Sequence, residues 1–297
     1  MNTVAGSLQW AELALAQSTP ELLESCKVDS QWLLAHVLQR NSAWLRAWPE
    51  HVLTDDQWQT YQQLIERRMA GEPVAYLTGQ QGFWNFDLKV TADTLIPRPD
   101  TELLVEQALQ HINEEHAIVV DLGTGTGAIA LALACERPAW VVTATDIHPA
   151  TLAVARHNSQ ALNLPIRLLE SAWFEQLQGE RFHLIVSNPP YIEDSDEHLQ
   201  GVGVRFEPVR ALASGQDGLD DIRHIVAYAP EHLEKAGWLL LEHGYNQGEV
   251  VRQLLIERGF EQVRTVQDLG DNDRVTLGQW PSQEPQTVEM ESEKHAD

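Results

Sequence analysis

The stretch VVDLGTGTGAIALALA, residues 119–134, runs from β-branched residues through Gly123, Gly125 and Gly127 into an alternation of alanine and leucine. Val119 and Val120 read as a buried strand, and the run after Gly127 reads as a helix. Glycine permits the tight turn between them and lets a ligand approach the backbone closely. The helix beyond offers unpaired N–H groups in its first turn. A lone G-x-G-x-G is weak evidence, and a purely structural turn is its ordinary reading. Its place after a strand that ends in Asp121, inside a longer repeat, gives it weight.

Outward from this point strands and helices alternate. WVVTATD is a strand and ATLAVARHNSQAL a helix; IRLLE and FHLIVSNPP are strands. DIRHIVAYAPEHLEKAG is a helix, WLLLEHG a strand and QGEVVRQLLIERGF a helix. EQVRTVQDL and DRVTLGQW follow as two strands with no helix between them, which predicts an antiparallel pair at a sheet edge. Upstream, IPRPDTELLVEQALQHI sets two prolines before a helix whose first turn holds Asp100 and Glu102. The fold class is α/β, a Rossmann-like and mostly parallel sheet with helices on both faces.

Residues 1–75 read as helical. TPELLESCKVDSQWLLAHVLQR (19–40) repeats apolar residues at helical intervals. TDDQWQTYQQLIERRMAGEP (54–73) opens on Thr54 as N-cap and closes on Arg67, Arg68, Gly71 and Pro73, the usual stop signals. Residues 76–96 mix aromatics, threonines and glycines and read as a hairpin linker. SQEPQTVEMESEKHAD, 282–297, lacks apolar periodicity and reads as a disordered acidic tail.

Asp146 ends the strand after the glycine loop, where a carboxylate can accept both hydroxyls of a ribose. The alternative is an N-cap for the helix in TDIHPATLAVA. With the glycines it predicts an adenosine-type cofactor, and NAD and S-adenosylmethionine both carry that ribose. The G-x-G-x-x-G register of a pyrophosphate loop is missing, with Ala128 where the third glycine would stand. Asp121 beside the loop suits an amino group better than a pyrophosphate. S-adenosylmethionine is the better match.

In LIVSNPPYIED, residues 184–194, a strand stops at Asn188-Pro189-Pro190-Tyr191. Proline gives no N–H to a ladder and pushes the residue before it out of the helical region. The chain therefore leaves the sheet stiff and extended. A planar amide or aromatic amine nitrogen is a poor nucleophile until its lone pair is turned toward the methyl carbon. Acceptors for both of its N–H protons favour that rotation and stabilise the charge that develops. The Asn188 side-chain oxygen and the Pro189 carbonyl can serve as these acceptors, and Tyr191 can stack on the flat face of the group. Proximity and alignment then do most of the work, without a strong general base.

The net charge is −24, from 44 acidic against 20 basic residues. Such a surface repels a phosphate backbone and suits solubility or a cationic partner, so no direct nucleic-acid binding is expected. Two cysteines, Cys26 and Cys135, stand far apart, which excludes a disulfide framework and a thiolate zinc site and fits a reducing cytosol. The histidines have no metal-ligand spacing. No apolar run approaches a membrane span and the start has no basic leader, so a cytoplasmic protein with no membrane contact is expected.

DLGTGTGAIALALA, Asp146 and SNPPYI together resemble the class I S-adenosylmethionine-dependent methyltransferases that methylate amino groups. LTGQQGFWNFDLKVTADTLIPRPDTELLVEQAL, RFEPVRALASGQDGL, LLLEHGYNQGEVVRQLL and DLGDNDRVTLG narrow the resemblance to the bacterial release factor glutamine methyltransferases, over roughly residues 20–280. That family methylates the side-chain amide of the glutamine in the Gly-Gly-Gln loop of peptide-chain release factors. The resemblance implies a seven-stranded catalytic sheet at 97–281, with the helical region acting in substrate recognition. It implies release factors as protein partners, and a monomer is expected. It also implies that Asp121, Gly123, Thr124, Gly125, Thr126, Gly127, Asp146, Trp173 and Asn188 hold the cofactor. Asn188, Pro189, Pro190 and Tyr191 would hold the glutamine, with Asn188, Pro189 and Tyr191 in the catalytic role. The family often has Asp where this chain has Ala172, and a charged residue where it has Gln81-Gly82.

The sister family that methylates a ribosomal-protein glutamine shares Asn-Pro-Pro-Tyr, but IPRPDTE favours the release-factor branch. A DNA adenine methyltransferase uses a similar clamp, and the acidic charge stands against it. A non-catalytic scaffold would not need the intact glycines, Asp146 and Asn188. Glu242-His243 is expected to end a strand and support the loop. Arg205 and Glu207 are expected to pair with each other, and Arg98 either orients substrate or braces the domain junction.

Overall fold

The computed structural model of the protein describes residues 2–282. The acidic tail expected from residue 282 onward, Ser282 apart, lies outside the described residues. The N-terminal region packs α1 (Val4–Ala16), α2 (Cys26–Leu38), α3 (Ser42–Ala47), α4 (Asp55–Met69) and α5 (Val74–Thr78) around Leu15, Leu33, Leu34, Tyr61 and Ile65. Thr54 caps α4 as its sequence predicts, and Gln57 completes a reciprocal capping box. Arg68 of α4 donates to Asp29 of α2 at 2.8 Å, so the buried charge of each is neutralised by the other. The helix expected across 19–40 is shorter: Pro20–Leu22 form a 3₁₀ turn, and α2 starts only at Cys26. Pro20 supplies a fixed φ for that first turn.

A two-stranded hairpin, β1 (Gln80–Phe83) and β2 (Phe86–Lys89), follows. Then come α6 (Glu102–His111), β3 (Ile118–Leu122), α7 (Ala128–Glu136), β4 (Val141–Asp146), α8 (Pro149–Leu162), β5 (Arg167–Glu170) and β6 (Phe182–Ser187). The chain ends through α9 (Asp220–His232), β7 (Leu233–Glu242), α10 (Gly248–Arg258), β8 (Glu261–Gln267) and β9 (Asp273–Gln279). β3 to β9 form one sheet in the order β5-β4-β3-β6-β7-β9-β8, antiparallel only where β9 meets β7 and β8. The expected antiparallel pair is present, with β9 inserted beside β7 and β8 left at the edge.

Its strands read as near-continuous apolar runs because both faces are covered. α7 is apolar all round and buried along nearly its whole length, so it has no solvent face to keep polar. The helix expected through residue 237 stops at His232 instead. Leu233 pairs with Phe182 in the sheet, and the strand passes a bulge with Ala236 at φ 61 before Trp238 resumes the register.

One rung explains where the site lies. Leu169, Thr145, Leu122, Ser187 and Leu241 are register partners across β5, β4, β3, β6 and β7. The next residue in each strand or loop is Glu170, Asp146, Gly123, Asn188 and Glu242. Residues from distant parts of the chain therefore leave the sheet side by side. They do so where the strand order reverses about β3, the usual ligand crevice of such sheets.

Candidate active site

At these carboxyl ends lies a cavity of about 300 Å³. Gly123, Thr124, Gly125 and Thr126 form one side of it, and Asp146 and Trp173 a second. Asn188, Pro190 and Thr101 close the third. Of the remaining residues expected at the site, Asp121, Gly127, Pro189 and Tyr191 are not in this wall. Asp121 is fully buried beneath the loop, where its Oδ2 accepts from the Thr124 hydroxyl at 2.6 Å. Burial pushes its carboxyl up to about 7.

The glycines differ in what they do. Gly127 has φ 85, and an added Cβ would come within 3.2 Å of Leu131 and 3.4 Å of Ala155, so it lets α7 pack on α8. Gly125 has φ 57 and an added Cβ would meet nothing within 4 Å, because it faces open space. Asp146 accepts from the Gly125 N–H at 3.2 Å and from the His148 N–H at 3.0 Å. It thus shapes the loop and holds the turn that leads into α8, and burial raises its pKa. Trp173 has φ 48 in a turn held by the Ser171 hydroxyl, which donates to the Trp173 carbonyl at 3.0 Å. Its indole lies against Gly123.

Asn188 donates from Nδ2 to the Thr101 Oγ1 at 3.1 Å, and its Oδ1 has no donor among the described residues. The other end of the motif is also tied down. The Tyr191 N–H donates to the Leu212 carbonyl at 3.1 Å, and the Tyr191 carbonyl accepts from Gln247 Nε2 at 2.9 Å. The Tyr191 hydroxyl donates to Glu242 Oε1 at 3.3 Å. Burial pushes the Glu242 carboxyl up to about 7, against the Thr101 hydroxyl, Arg274 and Tyr191, which favour the ionised form. His243 is buried and spent on both nitrogens, against Gly244 O at 2.9 Å and Thr276 Oγ1 at 2.7 Å, and burial lowers its pKa. It supports the strand end and has no access to the cavity.

Arg205 and Glu207 do not pair as expected. Glu207, almost fully buried, accepts from the Ile96 N–H at 3.0 Å and from Arg98, while Arg205 donates to the Ala70 carbonyl in the helical region. The carboxylate serves the nearer backbone donor and the cation that shares its loop junction. Arg98 braces the junction through Glu207 and also lines the cavity.

The wall suits S-adenosylmethionine. Asp146 keeps acceptor capacity at the cavity surface, Gly125 leaves space a side chain would fill, and Trp173 adds a flat apolar face. Ala172 stands in the wall without an acceptor of its own, between Ser171 and Trp173.

Residues 7–79 match the family described as PrmC N-terminal domain, and residues 99–206 match the Methyltransferase small domain. A Pseudomonas aeruginosa protein named release factor glutamine methyltransferase is 55% identical over 257 residues, 86% of this chain and 93% of its own length. The chain belongs to the release factor glutamine methyltransferase family. An Escherichia coli (strain K12) member of that name is 48% identical over 272 residues, 91% of this chain and 98% of its own. The fold extends further: the solved hMettl16 catalytic domain, in complex with MAT2A 3'UTR hairpin 6, matches at a TM-score of 0.54 and 14% identity. That match covers 78% of this chain and 83% of that one. As a family member the chain is an S-adenosylmethionine-dependent methyltransferase.

Sequence reading overlooked three residues of this family member that hold the site: Thr101, Asn158 and Glu207 in its role with Arg98. Thr101 reads as a helix-entry residue, and Asn158 as one polar position on an amphipathic helix. Only the absence of an exposed partner role for Asn158, set among apolar neighbours Val154 and Ala155, hints at burial. Among the described residues no group of His, Cys, Asp and Glu could hold a metal, and no helix is long and apolar enough to cross a membrane.

Proposed function

We infer that this chain methylates the side-chain amide nitrogen of the glutamine in the Gly-Gly-Gln loop of peptide-chain release factors, and so supports translation termination. The observation that carries the reading is Asn188: its NH₂ end is engaged by Thr101, and its oxygen end is left for the cavity. S-adenosylmethionine, when bound, supplies an electrophilic methyl group. The glycine loop and Asp146 hold the cofactor, with Trp173 beside its base. Asn188 Oδ1 accepts one N–H of the glutamine amide and the Pro189 carbonyl accepts the other. Together they orient the nitrogen lone pair and stabilise the positive charge that grows on it. Tyr191, fixed by Gln247 and Glu242, stands beside the amide plane. Proximity supplies most of the remaining acceleration.

The partner is a protein and the enzyme works as a monomer in the cytoplasm, without direct nucleic-acid contact. The charge of −24 supports that reading, because it attracts a basic, RNA-binding release factor and repels nucleic acid. The helical N-terminal region, residues 1–75, recognises the substrate, 76–96 links it, and 97–281 carries the chemistry.

Mass spectrometry of purified release factor after incubation with the protein and S-adenosylmethionine tests this. One methyl group on the Gly-Gly-Gln glutamine, absent with Asn188→Ala, is the expected result. Methylation of a ribosomal-protein glutamine instead would move the chain to the sister activity.

A further inference from the structure

A carboxamide is nearly symmetric in shape, yet only one end accepts a hydrogen bond. Rotating Asn188 by half a turn would present NH₂ to the substrate amide, which itself arrives with N–H groups, and the clamp would repel what it must hold. Nothing within Asn-Pro-Pro-Tyr selects the productive rotation, since proline restricts the backbone and leaves the amide torsion free.

The selection comes from outside the motif. Thr101 ends the 3₁₀ turn Pro99–Thr101 just before α6, and it is buried at the cavity edge. Its Oγ1 accepts from Asn188 Nδ2 at 3.1 Å. The NH₂ end of Asn188 is therefore spent on Thr101, and its oxygen end is left to the cavity. Glu242, buried at the end of β7, leaves the sheet beside Asn188, one residue past the Ser187–Leu241 register pair. Its Oε1 takes the Tyr191 hydroxyl, and its Oε2 has no hydrogen-bond partner among the described residues.

We propose that Thr101 is a positioning residue that fixes the rotation of the Asn188 amide. The proposal rests on the reading of Asn188 as acceptor for the glutamine amide. Thr101 never touches the substrate nitrogen; it acts through Asn188. Glu242 holds the Tyr191 hydroxyl at the other end of the motif.

The test compares wild type, Thr101→Val and Thr101→Ser in initial-rate methylation of purified release factor, read by mass spectrometry, with S-adenosylmethionine affinity from calorimetry. Valine keeps the shape and removes the hydroxyl; serine restores the hydroxyl and removes a methyl. Thr101→Val is expected to lower kcat about 10- to 100-fold, with cofactor affinity and the KM for release factor within about threefold of wild type. Thr101→Ser is expected to recover to within about threefold of the wild-type kcat. A valine variant as fast as wild type overturns the inference alone. So does a serine variant as slow as valine, or a valine variant that loses cofactor binding along with its rate. An inactive wild type overturns the proposed substrate, and this inference with it.

Discussion

Asn158 donates to the Thr126 carbonyl at 2.9 Å, and its Oδ1 accepts from the Lys89 N–H at 2.8 Å. One buried side chain on α8 thus ties the glycine loop to the hairpin. Asn158→Leu keeps the volume and strands the Thr126 carbonyl together with the N–H and carbonyl of Lys89, so unfolding stability is expected to fall by about 2–3 kcal/mol. S-adenosylmethionine binding should weaken with it, because Thr126 lines the cavity. Urea titration and calorimetry on the same preparation check both. A stability within about 0.5 kcal/mol of wild type would show the tie to be idle.

Glu207 holds Ile96 and Arg98 from a side chain that is 1% exposed. Glu207→Ala leaves a backbone donor and a guanidinium without their acceptor, and about 3 kcal/mol of stability is expected to go. Adding Arg98→Ala should cost less than the sum of the single changes. A double-mutant cycle by denaturation measures that coupling, and strict additivity would contradict the brace.

Gly218 has φ 73, and a Cβ there would stand 2.3 Å from the Tyr191 carbonyl oxygen and 2.9 Å from Gln247 Nε2. Gly218→Ala must therefore push the end of Asn-Pro-Pro-Tyr away from Gln247. Methyl transfer is expected to drop at least about 10-fold, with cofactor affinity retained, because the displacement lies on the substrate side. Calorimetry beside a rate assay separates the two.

Asp121 and Glu242 are buried carboxyls pushed up to about 7. The folded state therefore binds more protons than the unfolded chain between about pH 4 and pH 7. Stability falls as pH rises through that window and levels off above it. The groups facing Glu242 are Thr101, Tyr191, Arg274 and Asp100. Glu242→Gln removes its share and should flatten the decline by on the order of 2 kcal/mol. Melting curves of both proteins across this range decide it; parallel slopes would mean that Glu242 stays ionised throughout.

Much of the architecture was legible before any coordinates. The alternation from Ile118 to Glu170 follows from local periodicity, and the expected strands fall where the sheet has them. The boundary at Leu233 was not, because Glu234, Lys235 and Gly237 suit neither a strand nor a buried position; pairing with Phe182 overrode propensity. The cavity wall contains the loop from Gly123 to Thr126 with Asp146, Trp173 and Asn188, all singled out from sequence. Arg98 paired with Glu207 was beyond reach, because the sequence offered Arg205 as a nearer partner.

The amino-acid sequence alone determined the glycine turn, the acidic strand end and the stiff exit at Pro189-Pro190. Each is a local consequence of a missing Cβ, a short carboxylate or a missing N–H. Only the tertiary structure decided that Thr101 meets Asn188 across 87 residues of chain, or that Arg98 meets Glu207 across 109. Those contacts depend on strand order and register, which bring one row of strand ends together. No local pattern encodes which distant hydroxyl will lie beside a given amide.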